Sequence, residues 1–252
     1  MIHQTFSVGD HPEIDVRIQA GRVEVVEGPA GTIEVSVETN DHNFRVQQRG
    51  DLVEIASDRE ARWLFSSPAE VTVTMPPGGR ATIRTASADV VVRAPIDRID
   101  VDTASGEIRI HNARKASAKT ASGNVRADEI GEAIKAKTAS GDVRIVRVNG
   151  LADVSTASGD VRIDDADAIV DVSTASGRVQ IDRYVGTDLN LKSMSGSFEV
   201  GMESGTKVDL DAASLSGRVN WPPKLDNPPP VKRHMTFKAK SMSGDLTIKR
   251  IS

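Results

Sequence analysis

The chain contains no cysteine, and only 3% of its 252 residues are aromatic. The missing cysteines exclude disulfide bonds and thiolate chemistry, but they leave the compartment open because secreted proteins can also lack them. With so few aromatic rings, the core must be built from valine, isoleucine, leucine and alanine. Such small and often β-branched side chains suit narrow, stacked strands better than a core that is filled by large rings.

Long apolar runs and an excess of one charge are also missing. No stretch approaches the roughly 18 apolar residues of a membrane span, and the first ten residues lack the basic and apolar segments of an export signal. We therefore expect no insertion into a membrane and favour the cytoplasm, with an extracellular location only if a leader was removed. A net charge of −4 gives no general attraction to nucleic acids or anionic membranes.

One short phrase recurs nine times and organises most of the sequence. It is clearest as Thr-Ala-Ser-Gly-Asp-Val-Arg-Ile, at 138–145 and again at 156–163. Its glycines are first 17 to 19 residues apart, and the last two intervals stretch to 21 and 27 residues. A fixed period of this length is typical of a solenoid, in which successive repeats stack as rungs. The turn residues are Ala88, Gly106, Gly123, Gly141, Gly159, Gly177, Gly196, Gly217 and Gly244.

Polar and apolar residues alternate on both sides of each Ala-Ser-Gly turn, and this period of two predicts β-strands. Three sets of equivalent positions, which begin at Ile83, Val90 and Val92, are apolar in every copy and predict the interior. Each rung should be strand, turn, strand and a short return loop, with glycine providing a positive φ at the turn. We predict an all-β chain that folds as a parallel β-solenoid (a β-helix or β-roll) with rungs of about 18 residues.

The regular repeat does not extend over the whole chain. Residues 1–80 are expected to form less regular rungs and a cap, with residues 62–65 as apolar cover. Residues 81–252 are expected to form the regular solenoid, interrupted by a proline-rich excursion at 222–230 because proline cannot donate a ladder hydrogen bond. We expect the two parts to make one continuous domain.

Several passages carry a family resemblance. They are Gly-Arg-Val-Glu-Val at 21–25, Val-Thr-Val-Thr-Met-Pro-Pro-Gly at 71–78, and the run of Ser-Gly-Asp-Val units. Together they resemble the bacterial DUF4097 family, whose members are labelled adhesins and form β-solenoids. The resemblance covers nearly the whole chain and implies the solenoid fold. It brings no catalytic residues to carry over.

The most ordered polar feature is a pair of outward columns that follow the turn. Acids recur at one position of the repeat and arginines two residues later, and four arginines in one column would repel one another without acids beside them. One interpretation is a stripe for an anionic ligand, and the other, which we favour, is an ion-pair ladder that keeps the face solvated. The candidate interaction face consists of Asp142, Arg144, Asp160, Arg162, Arg109 and Arg126.

Other patterns do not predict a catalytic or cofactor site. The repeated serines have no histidine that recurs beside them as a base. Periodic calcium binding would need Gly-Gly-x-Gly-x-Asp, and each turn has one glycine. The lysines before the turn are not interleaved with aromatic residues for stacking bases. We therefore expect no metal, no cofactor and no nucleic-acid partner.

The repeat favours a non-enzymatic structural or interaction module, adhesin-like, that presents polar faces to an unknown protein or glycan. A carbohydrate-active β-helix enzyme is the first alternative, with Asp164, Asp165 and Asp167 as its acids. A self-assembling scaffold is the second. The C-terminal rung, 237–248, shows no obvious cap, and an uncovered strand could pair with another copy to form a homo-oligomer.

Overall fold

The computed structural model describes residues 1–40, 44–57, 67–223 and 230–251. These residues form β-strands and no helix, so the predicted all-β solenoid is confirmed. The strands are β1 (Ile2–Ser7), β2 (Glu13–Ile18), β3 (Gly21–Glu27), β4 (Thr32–Thr39), β5 (Phe44–Arg49), β6 (Leu52–Ser57), β7 (Ala69–Met75), β8 (Arg80–Thr85), β9 (Asp89–Val92), β10 (Ile96–Asp102), β11 (Ile108–Lys119), β12 (Val125–Lys137), β13 (Val143–Thr156), β14 (Val161–Thr174), β15 (Val179–Tyr184), β16 (Asp188–Ser193), β17 (Phe198–Glu203), β18 (Thr206–Ser214), β19 (Val219–Asn220), β20 (Arg233–Ser241) and β21 (Leu246–Ile251).

The chain divides into two compact units, which we call unit 1 (Met1–Glu129) and unit 2 (Ile130–Ser252). The apolar segment at 62–65 and most of the proline-rich excursion lie outside the described residues. The division expected after residue 80 stays a prediction.

A rung is seen most clearly in unit 2, where β13 and β14 pair in parallel along their whole length. Both strands run from one turn to the next, so the expected short return loop is wrong for these rungs, whereas a short non-strand connection at 185–187 does separate β15 from β16. Inward and outward positions alternate in β13 except at residues 146–147 and 149–151, where neighbouring side chains all avoid the core. Because strand alternation is strict, these breaks mark bends that let the rung turn around its own interior.

The predicted apolar columns form the core of the stacked rungs. In unit 2, Val161 and Ile163 are at most 1% exposed, as is Val172 before the turn. The return segment adds an inward column that was not predicted from the sequence, because this segment was expected to be a loop. Its members in unit 2 are Ile130, Val148, Ala166, Tyr184 and Met202.

The rungs of unit 2 do not all stack in the order of the sequence. Strand β16 pairs with β14 on one side and with β20 on the other, and β20 then pairs with β18. Strands β17, β21 and β19 follow the same order. The last repeat therefore lies between the two repeats that precede it, and β18–β19 is the outermost rung. The expected uncovered C-terminal rung is wrong, since both edges of β20 and of β21 are paired.

Unit 1 contains the same exchange of order at its first rungs. The rung β2–β3 lies between β6–β7 and β8–β9, so β6–β7 is outermost although it follows β2–β3 in the sequence. This outermost rung is covered, because β5 pairs antiparallel with β6 and β4 pairs antiparallel with β7. Strand β1 continues the cover by pairing antiparallel with β4.

Candidate functional site

A hydroxyl group closes the turns at Gly141 and Gly159 from the inside. The Oγ1 atom of Thr138 accepts the N–H of Gly141 at 2.9 Å, and that of Thr156 accepts the N–H of Gly159 at 3.0 Å. Both threonines are buried. A side-chain oxygen that bonds to the backbone three residues later is a common way to stabilise a turn. The repeated threonines therefore have a structural role.

The repeated glycines are required because neighbouring rungs lie too close together at the turns to leave room for a Cβ atom. None of them has a positive φ, so the expected conformational reason is wrong. A Cβ atom on Gly159 would lie less than 3.0 Å from the carbonyl oxygen of Gly141, and one on Gly177 would meet that of Gly159 in the same way. In the part of unit 2 where the rungs do not stack in sequence order, a Cβ atom on Gly244 would meet the carbonyl oxygen of Gly196, and one on Gly217 would meet that of Gly244. Each of these glycine turns thus contacts the turn of the neighbouring rung too closely for a methyl group.

The acidic column connects the backbones of neighbouring rungs. In unit 2, Oδ1 of Asp142 accepts the N–H of Asp160 at 2.8 Å, and Oδ1 of Asp160 accepts the N–H of Arg178 at 2.8 Å. In unit 1, Asp89 holds the N–H of Glu107 at 2.8 Å. A carboxylate that bonds to a backbone N–H is a strong acceptor. One oxygen of each of these aspartates is therefore committed to the fold.

In unit 2 the arginine column is an ion-pair ladder, which we call the unit 2 ladder. Asp164 accepts hydrogen bonds from Nη2 of Arg144 and Nε of Arg162, each at 2.9 Å. Nη2 of Arg162 also donates a hydrogen bond to Asp182 at 2.6 Å. Burial raises the pKa of the Asp164 carboxyl, but the hydrogen bonds from both arginines outweigh it and hold that pKa below its usual value. Both arginine side chains stay 47% exposed, so they are fixed in place and still accessible.

Unit 1 contains the other two predicted arginines. Arg109 forms a bidentate pair with Glu107 at 3.0 and 3.1 Å, and Arg126 donates to Asp128 at 2.9 Å. Asp128 also lies 3.0 Å from Nδ1 of His111. All six residues of the candidate face therefore have partners inside the chain. Arg109 and Arg126 belong to unit 1, and the other four residues belong to unit 2.

The acids proposed for an enzyme are mostly engaged in ion pairs. Asp164 belongs to the unit 2 ladder, and Asp165 accepts from Nη1 of Arg183 at 2.7 Å. Arg183 also donates to Glu203, and hydrogen bonds from Arg183 and Arg233 lower the pKa of Glu203 despite partial burial. A general acid for glycoside cleavage needs a raised pKa. The lowered pKa values of Asp164 and Glu203 are the opposite of this requirement.

The partners Asp182, Arg183 and Glu203 were missed from the sequence. They lie in return segments that were expected to be loops, and each meets its partner only across the gap between two rungs. Their spacing of 18 to 20 residues from Arg162, Asp165 and Arg183 matches the repeat, and this was the signal that could have revealed them.

Two further kinds of feature are absent from the described residues. No group of three or more histidine, cysteine, aspartate and glutamate side chains is placed to hold a metal ion there. The same part of the chain includes no helix with the length and apolarity needed to cross a membrane.

A second surface, which the sequence did not reveal, lies on the outermost rung of unit 2. Val219 and Trp221 occupy core columns, yet each is 48% exposed, whereas the equivalent Leu246 and Ile248 are 4% exposed. A shallow groove of about 160 Å³ beside this rung is lined by Trp221 and Val208, among others. This exposure follows from the stacking order of the rungs, because no further rung covers β18–β19 in the described part of the chain.

The repeat geometry agrees with a comparison of sequences. The model of the family described as Toastrack DUF4097 matches residues 10–202 and 132–252. The chain belongs to the DUF4097 family. The curated protein sequences contain no match to this DUF4097 chain.

One solved structure supports the fold. The DUF4097 chain is similar to a "putative lipid binding protein" from Parabacteroides distasonis ATCC 8503, with a TM-score of 0.58 and 14% identity over 100% of this chain and 96% of that chain. It is also similar to a "putative adhesin" from the same organism, with a TM-score of 0.47 and 13% identity over 99% and 96% of the two chains. At such identities the first likeness supports the fold alone, and the second is too weak to carry an argument.

Proposed function

We propose that this DUF4097 chain is a non-enzymatic interaction module, adhesin-like, that presents an ordered polar face to a glycan or protein partner. The observation that supports this proposal is the unit 2 ladder, in which Arg144 and Arg162 are held by Asp164 while about half of each arginine side chain stays accessible. Side chains that are already ordered lose little conformational entropy on binding. Such a face can therefore bind a partner without first reorganising.

The charge pattern of the unit 2 ladder favours a partner rich in hydroxyl groups. Guanidinium donors alternate with the carboxylate acceptors Asp164 and Asp182, so the face has no large excess of one sign. A polyanion would meet the carboxylates as well as the arginines, whereas sugar hydroxyls can both donate and accept. We therefore favour a neutral glycan over an acidic one, with a polar protein surface as the alternative. The cytoplasmic location stays a prediction.

Binding to immobilised polysaccharides tests this proposal. The purified chain is passed over neutral dextran, neutral mannan and acidic polygalacturonate, and reducing ends are measured in the same samples. We expect retention on a neutral polymer without release of reducing ends. The double variant Arg144→Gln and Arg162→Gln should weaken retention at least tenfold, because the array of donors is lost.

A matched control is available on the strands that precede the turns. Arg98→Gln with Lys135→Gln removes two other ion-paired cations, which pair with Asp100 and Asp153 at 2.9 Å each. This control should leave retention unchanged. Equal losses in both double variants, or no retention on any neutral polymer, would contradict a role of the unit 2 ladder in glycan binding. Release of reducing ends would instead establish the enzyme alternative.

A further inference from the structure

The outermost rung of unit 2 has a strand edge without a partner among the described residues. Strand β18 pairs with β20 alone and β19 with β21 alone, whereas the strands of the inner rungs β16–β17 and β20–β21 have partners on both sides. The backbone N–H and C=O groups on the free side of β18 can form ladder hydrogen bonds with another strand. This edge is therefore ready to accept a strand.

The apolar side chains of this rung are exposed as well. The inward positions Val208 and Leu210 are only half-buried, and Val219 and Trp221 are each 48% exposed. In unit 1 the corresponding outermost strands carry antiparallel cover strands, and Ile55 there is fully buried. The two outermost rungs therefore differ, because one is closed by the chain itself and the other lacks such cover in the described residues.

The outward side chains of β18 have a charge pattern that complements itself. Lys207 and Asp209 are exposed, and within the described part of the chain neither side chain forms an ion pair. When a second copy pairs antiparallel about Val208, Lys207 lies opposite Asp209 of the second copy, and Asp209 lies opposite its Lys207. The paired stretch within β18 then spans residues 206–210, and Asp211 lies beyond it, so no like charges face each other within that stretch. Opposite charges on directly paired residues stabilise a sheet.

We propose that two copies of this chain form a dimer by antiparallel pairing of β18 with β18 of the second copy. In the register centred on Val208, even-numbered residues pair with even-numbered residues, so the inward side chains of both copies stay on the same side of the sheet. The contact is made by the same strand in both partners, so it closes as a two-fold dimer. A head-to-tail filament through the outermost rung of unit 1 is disfavoured because β4 and β5 already cover it.

Charge exchange at two exposed positions tests this register. Sedimentation velocity across a range of protein concentrations should show a monomer–dimer equilibrium for the original chain. The single variants Lys207→Asp and Asp209→Lys each place like charges opposite each other twice and should raise the dimer Kd at least tenfold. The double variant restores opposite charges and should return the Kd to within about threefold of the original value.

The control Lys137→Asp alters an exposed lysine on an inner rung and should leave the Kd unchanged. Circular dichroism shows whether every variant is folded, which is expected because all the changed side chains face solvent. A strict monomer at all concentrations would overturn the proposal, as would single variants that the double variant does not rescue. A monomer that floats with phosphatidylcholine vesicles would show that lipid covers this edge, which would also overturn it.

Discussion

Replacing one repeated glycine by alanine tests whether rung spacing explains the glycine column. In Gly159→Ala the new Cβ would lie less than 3.0 Å from the carbonyl oxygen of Gly141. Neighbouring rungs hold this turn from both sides, so the turn must move away from its neighbour. Movement weakens the hydrogen bonds that Ala139 O accepts from the N–H groups of Ala157 and Ser158, at 3.2 and 3.0 Å.

The expected cost follows from these contacts. Two weakened turn hydrogen bonds cost about 1 kcal/mol each, and overpacking of a confined site adds about 1–3 kcal/mol. Gly159→Ala should therefore lower the free energy of unfolding by about 3–5 kcal/mol. Gly50 has a positive φ of 61° and open space around it, so Gly50→Ala should cost about 1–2 kcal/mol, from the left-handed conformation alone.

Gly217→Ala tests whether the cost of the added methyl group depends on neighbouring rungs that confine the turn from both sides. Its Cβ would meet the carbonyl oxygen of Gly244 as closely as in the inner rungs. Strands β18 and β19 are paired on one side only among the described residues, so this rung can shift outward. We expect a loss of about 2 kcal/mol or less, since part of the overpacking cost relaxes and a single turn hydrogen bond is weakened, from the N–H of Ser216 to the carbonyl oxygen of Met242 at 3.2 Å.

Urea unfolding followed by circular dichroism measures all three variants against the original chain. The order of destabilisation should be Gly159→Ala first, with Gly217→Ala and Gly50→Ala clearly smaller. If Gly159→Ala costs no more than Gly50→Ala, crowding between rungs is not the reason for the repeated glycine. If Gly217→Ala equals Gly159→Ala, the outermost rung is held as firmly as the inner ones.

Three further measurements test the stacking and the ionisable groups. The chain has no cysteine, so pairs of introduced cysteines report which rungs are neighbours. Lys192→Cys with Lys240→Cys should form a disulfide on oxidation, whereas Lys192→Cys with Ala213→Cys should not, because Lys240 lies between those two positions in the sheet. The reverse result would show that the rungs stack in sequence order. Burial raises the pKa of Tyr184, the only tyrosine. Its phenolate absorbance should therefore rise in alkali only when the chain unfolds, and a titration near pH 10 in the folded chain would contradict this. Despite burial, hydrogen bonds from Arg144 and Arg162 lower the pKa of Asp164, so its ion pairs stabilise the fold above the unfolded pKa, and this stabilisation is lost as pH falls through the folded pKa. The stability difference between the original chain and Asp164→Asn should therefore shrink as pH falls below about 4, by less than about 1 kcal/mol because the pair is partly exposed.

The sequence predicted the rung, the turn and the core columns of the inner repeats. Alternation around the turn separates inward residues such as Val161 and Ile163 from outward ones such as Arg162, and the structure buries the first two and exposes the third. The ion-pair ladder was the favoured interpretation of the outward columns, and Arg144, Asp164 and Arg162 form one. These features are local, because each depends on residues within one repeat and on the neighbouring copy.

The candidate site was predicted only in part. The arginine positions were identified, but Asp182, Arg183 and Glu203 were not, because the return segment was expected to be a loop. The reason for the repeated glycine was also wrong, since a single turn viewed by itself does not show the carbonyl oxygen of the neighbouring rung. Crowding between rungs is a tertiary contact, and a one-residue pattern cannot distinguish it from a requirement for a positive φ.

The sequence by itself determined that each repeat folds as a rung with valine and isoleucine inside and charges outside, because a period of two admits no other burial. Only the tertiary structure decided which rungs are neighbours. All rungs offer the same apolar columns and the same ladder of backbone groups, so local pattern does not distinguish adjacent copies from copies two repeats apart. The glycine intervals of 21 and 27 residues provide the extra chain that lets the last repeat stack between the two repeats that precede it. This stacking order leaves β18, rather than the C-terminal strand, at the edge.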